Sequence, residues 1–190
     1  MKLHQLSFFC GLALLAGLMP ASAASDDLPA LFGTRVSAAP RFPGPVATGD
    51  FDGDGLPDRV YLVKIAPASP SAALAADVVV NWKAFGTKPL GNHGEELAIA
   101  IVHGNGKVKT LLTGYNGDGS TEFFGSPIWS EAKPPISLAK RGSKTFAEFQ
   151  RQEKAIRNDV LVAGTEAGID TALYWTGKGY ALFSPGEFGP

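Results

Sequence analysis

A mainly β, single-domain fold is predicted by three features of this 190-residue chain. Short runs rich in Val, Ile, Leu and Tyr recur along it, Gly-containing tight turns such as Asn105-Gly106 separate them, and only one stretch carries a helix signal. Seven or eight short, mostly antiparallel strands with one short helix are therefore expected, arranged as a meander.

The elements follow in chain order. Lys2, the apolar run from Phe8 to Met19 and then Pro20-Ala21-Ser22-Ala23-Ala24 have the layout of a signal peptide, with small residues at the −3 and −1 positions of a cut after Ala23. The run is too short for a comfortable membrane span, and no second one follows. Residues 24–46, rich in Ala, Pro and Ser, read as an extended lead-in to a β-rich domain over 47–190. Strands are expected over 59–65, 77–83, 96–103 and 108–113, the last two joined by Gly104-Asn105-Gly106-Lys107, the clearest hairpin signal. Thr145-Phe146-Ala147-Glu148 has capping-box spacing and predicts a short helix through Arg157. Strands over 159–164, 171–175 and 180–183 complete the set, the last pair flanking the turn Thr176-Gly177-Lys178-Gly179.

The most specific motif is Asp50-Phe51-Asp52-Gly53-Asp54-Gly55-Leu56-Pro57-Asp58. Carboxylates stand at positions 1, 3, 5 and 9, a glycine at 6 and a main-chain carbonyl at 7, which is how a curled segment converges several hard oxygens on one Ca2+. Asp50, Asp52, Asp54, the Leu56 carbonyl and Asp58 are the candidate ligands. Unneutralised carboxylates held this close would repel one another. An acidic Asp-Gly turn is the plainer reading of the same residues. An EF-hand is excluded, since position 12 is Tyr61 inside a β-branched and aromatic run.

Residues 47–63 resemble the FG-GAP family, whose repeats carry integrin-α-type calcium loops between strands. The resemblance implies the same five ligand positions, Asp50, Asp52, Asp54, Leu56 and Asp58. Full members build seven-bladed propellers from many repeats, and this chain is too short for one, so a loop and not a propeller is expected. Residues 114–122, Gly114-Tyr115-Asn116-Gly117-Asp118-Gly119-Ser120-Thr121-Glu122, echo the motif with glycine at position 1, and a Gly-rich turn is the better reading of them.

Composition narrows the function further. The formal charge is −1, so no polyanion-binding signature exists and nucleic acid is not an expected partner. Cys10, the single cysteine, leaves with the signal, so the mature chain forms no disulfides. His93 beside Glu95 and Glu96 invites an acid–base reading, but a solvated loop accounts for it; His103 reads as a strand-terminal polar residue. No nucleophile elbow, zinc-protease helix or phosphate-binding loop is present. Trp82, Trp129 and Trp175 read as packing residues, with loop-borne Trp129 the candidate binding anchor.

These readings lead to an exported, periplasmic or secreted calcium-binding protein that is not an enzyme and works by binding another protein of the envelope. Small exported proteins with one FG-GAP-like loop look like periplasmic inhibitor or immunity proteins that block envelope-degrading toxins. The alternatives are an envelope hydrolase or carbohydrate-processing enzyme using His93 with Glu95 or Glu96, and a cell-surface adhesion module.

Overall fold

The computed structural model describes residues 27–81, 96–113, 136–164 and 170–185. Among them the protein is mainly β, with ten strands in two sheets and two helices. The first sheet holds β1 (Val36–Ala38), β2 (Ala47–Gly49), β3 (Asp58–Ile65), β4 (Val78–Asn81), β5 (Glu96–Val102) and β6 (Lys109–Thr113). Its order is β1-β3-β5-β6-β4, and β2 takes the part of the β3 edge that β1 leaves free: β1 pairs with Val63–Ile65 and β2 with Asp58–Val60. The second sheet is the antiparallel set β10 (Tyr180–Phe183), β9 (Asp170–Trp175), β8 (Val160–Gly164) and β7 (Ile136–Ala139). Neither sheet closes into a barrel or a propeller.

Three apolar clusters explain the layering. Val60, Leu62, Ile99, Ile101 and Leu112 of the first sheet meet Ile136, Leu161, Leu173 and Tyr180 of the second, which makes a sandwich core between the sheets. The opposite face of the first sheet carries Tyr61, Val63, Ile65, Ala98, Ala100 and Leu111, and α1 (Leu28–Phe32) covers it with Leu28 and Phe32. The outer face of the second sheet carries Val160, Val162, Ala172 and Tyr174, covered by Phe146 and Phe149 of α2 (Lys144–Gln152) and by Ile156. Because β3 is covered on both faces, Val60-Tyr61-Leu62-Val63 is a continuous apolar run and not an alternating one.

Three expectations need correction. The lead-in over 24–46 is not wholly extended: Asp27 caps the single turn of α1 by accepting from the Ala30 amide at 3.2 Å, Pro29 sits in that first turn, and Val36–Ala38 forms β1. The short α1 persists because Leu28 and Phe32 are buried against the sheet, which its own length could not ensure. The second helix starts at Lys144 and stops at Gln152. Ser143, not Thr145, is its N-cap, with Oγ accepting from the Phe146 amide at 3.2 Å. A pure meander also fails, because β4 runs parallel to β6 at the sheet edge.

The two hairpins form where expected. In the first, the His103 amide donates to the Val108 carbonyl at 3.0 Å and Gly106 takes φ +70°, while no non-glycine residue among those described has a positive φ. In the second, Thr176 N–H donates to the Gly179 carbonyl at 2.9 Å, and Gly177 takes φ +90°.

Candidate metal centre

The aspartate loop leaves β2 at Gly49 and enters β3 at Asp58, so two paired strands fix its ends. Phe51, at position 2, is fully buried in the core between the sheets and pins the loop from within. The chain then curls around its own carboxylates. Asp50 accepts from the Gly53 amide at 2.8 Å and the Gly55 amide at 3.2 Å, Asp52 from the Asp54 amide at 3.1 Å, and Asp54 from the Leu56 amide at 2.8 Å. These turns need left-handed backbone at Gly53 and Gly55, with φ +80° and +83°. At Gly53 there is a second reason for glycine: a Cβ would lie 2.7 Å from the Asn158 amide oxygen.

Carboxylate oxygens of Asp50, Asp52 and Asp54 come within 4.8 Å of one another. At that separation each pair repels by about 3.5 kcal/mol at an effective dielectric of about 20, and by about 1 kcal/mol in bulk water. A divalent cation among them reverses the sign of the interaction. An all-oxygen donor set of this kind suits a hard cation, and each oxygen that accepts one amide retains a second lone pair. The residues therefore fit a metal ion, although the carboxylates alone do not select calcium over other hard cations.

Asp58, the position-9 candidate, lies deeper than the other three carboxylates. It is completely buried, its Oδ2 accepts from the Phe51 amide and its Oδ1 from the Gly104 amide, both at 2.7 Å. It thus clamps the start of the aspartate loop to the β5–β6 hairpin. Burial holds its carboxyl above the usual aspartate range and the nearby Asp52 charge adds to this, against the lowering effect of the two amides and His103. The Leu56 side chain is 46% exposed at the loop tip.

His103 is the functional residue that the sequence reading missed. It is 1% exposed, and its Nδ1 lies 2.8 Å from Asp52 Oδ2 while its Nε2 lies 3.0 Å from the Tyr180 hydroxyl. An ionised carboxylate only accepts, so Nδ1 carries a proton and donates to Asp52. Burial pushes the Tyr180 hydroxyl well above its ordinary pKa, helped by the Asp58 and Asp52 charges, so it stays protonated beside Nε2. Trp175 packs edge-on against the imidazole, with ring centroids 4.7 Å apart. The signal was available in outline: His103 keeps the alternation of Ile99 and Ile101, the inward phase of β5.

Asp52, Asp58 and His103 also lie close enough to suggest a second metal cluster. Both His103 nitrogens are engaged in hydrogen bonds, to Asp52 and to Tyr180, so within this trio His103 positions Asp52. Further support comes from distant segments. The Asp50 amide donates to Asp159 Oδ2 at 3.0 Å, the Arg141 amide to Asp159 Oδ1 at 2.7 Å, Asn158 to the Phe51 carbonyl at 3.2 Å and Asn105 to Asp54 at 3.0 Å. The loop therefore touches both sheets.

The signal segment, Trp82, His93, Glu95, residues 114–122 and Trp129 lie outside the described residues. Glu96 opens β5, its backbone paired with Ile65. No helix among the described residues is long and apolar enough to cross a membrane. Comparison with protein-family models, with curated proteins and with solved structures finds no match for this chain.

Proposed function

We propose that this is an exported calcium-binding protein that acts by binding another protein, with the cation fastening the loop end of the sandwich. The observation that carries the reading is the convergence of Asp50, Asp52 and Asp54 in a glycine-curled loop anchored to both sheets. Calcium, not a softer metal, is the ion of choice because the loop offers carboxylates and main-chain carbonyls, and because its spacing resembles the FG-GAP loop. Asp50, Asp52, Asp54 and the Leu56 carbonyl would hold the ion, and Asp58 would act by fixing the loop ends. The cation supplies charge neutralisation there. The chain's own residues hold the geometry: Phe51 from the core, His103 through Asp52, and Asp159 through the Asp50 amide.

The protein-binding half of the reading rests on the loops that gather around this site, with Leu56 exposed at the tip, and on the analogy with periplasmic inhibitor and immunity proteins. Two measurements test it. Calorimetric titration of the mature protein should show one calcium bound, lost in Asp52→Ala and in Asp54→Ala. Affinity capture from envelope fractions should then retain a protein in calcium and release it in chelator. Unchanged calcium binding in both variants would reduce the loop to an acidic turn, and a partner indifferent to both variants would detach the binding face from the metal.

A further inference from the structure

Beside the aspartate loop lies a cavity of about 360 Å³ that the metal reading does not use. Asp52 forms one side, Ala155, Arg157 and Asn158 follow from the segment after α2, and Trp175 and Thr176 close it from the end of β9. We propose that this cavity is a binding site for a single neutral sugar ring. The volume falls at the lower end of the range of about 300–1,000 Å³ typical of small-molecule sites.

The chemistry of the walls selects the ligand class. An anion would be drawn to Arg157 but would meet the Asp52 carboxylate, and a cation would meet the converse conflict. A purely apolar ligand would strip water from a carboxylate, an amide and a guanidinium without replacing their hydrogen bonds. A pyranose avoids all three difficulties: its hydroxyls donate to Asp52, accept from Arg157 and do either with Asn158, while its apolar C–H face can pack on the half-buried Trp175 ring.

Contacts within the protein hold the walls. His103 fixes Asp52 at 2.8 Å and packs against Trp175, and Asn158 is tied to the Phe51 carbonyl at 3.2 Å. Both Asp52 oxygens keep lone pairs for a hydroxyl after accepting from His103 and the Asp54 amide. These contacts join the protein's own groups, so sugar binding is expected in chelator as well as in calcium, which separates this proposal from the metal reading.

The test is a titration of the full mature chain, in chelator, followed through the Trp175 indole N–H resonance. The probes are methyl glucoside, methyl galactoside and N-acetylglucosamine, with benzoate as the anionic control and choline as the cationic one. At least one sugar should bind with a Kd on the order of 1–10 mM, the range of a few hydrogen bonds and one stacked ring. Binding should weaken about tenfold or more in Arg157→Ala, an exposed position, and vanish in Ala155→Trp, which fills the cavity from its exposed rim. The proposal is overturned if no sugar moves the resonance, if only benzoate or choline does, or if Ala155→Trp, folded by its amide spectrum, binds sugar as before.

Discussion

Removing the Asp58 carboxylate distinguishes a metal ligand from a structural clamp. In Asp58→Ala two amides, Phe51 and Gly104, lose acceptors that now stand 2.7 Å away. Each buried donor left unpaired costs about 1–3 kcal/mol. The Phe51 amide is buried and bears the full penalty, whereas the Gly104 amide is only partly buried and water can enter beside it. Deleting the carboxylate also relieves the burial that raises its pKa, so the net loss should sit near the low end of the sum, about 2–3 kcal/mol. Urea denaturation in chelator reads this directly as a lower midpoint at constant slope. A position-9 ligand would behave otherwise, with almost all of its effect appearing only in calcium. A loss below about 1 kcal/mol in chelator, with a large loss in calcium, would refute the clamp and restore Asp58 to the ligand set.

Phe51→Ala should cost about 3–5 kcal/mol, the usual range for emptying a fully buried aromatic site, and should weaken calcium binding because the loop loses its anchor; denaturation and calorimetry check both. Gly53→Ala and Gly55→Ala separate two kinds of glycine requirement by the same denaturation assay: both place alanine at positive φ, at about 1–2 kcal/mol, but only the Gly53 change also drives a Cβ into Asn158, so it should be the worse by about 1 kcal/mol or more. Equal losses would remove Asn158 from the loop's support. The raised pKa of Asp58 predicts a pH effect of definite sign: the folded state holds that proton more tightly than the unfolded chain, so the contribution is complete below the ordinary aspartate pKa of about 3.9 and is lost as pH rises through the folded value. In chelator, the stability of the wild type relative to Asp58→Asn should therefore fall with rising pH across that window, and a rise would reverse the assignment.

The local features of this protein were legible in its sequence because each rests on a short-range rule. Alternating carboxylates with Gly53 and Gly55 dictate the curl of the loop, Asn105-Gly106 and Gly177 dictate the hairpins, and β-branched runs dictate the strands. What the tertiary structure decided is how these pieces meet. His103 reads as an ordinary strand end until β9 and β10 bring Trp175 and Tyr180 onto it. Asp58 reads only as a ligand in the sequence, and folding alone reveals that its two oxygens also join two amides, one of them in another hairpin. Asp159 stands 109 positions from the loop it braces, and β4 joins β6 in parallel across a long connection. Periodicity and turn chemistry act over a few residues, whereas hydrogen bonds between distant segments depend on which faces the core brings together; only the folded chain contains that information.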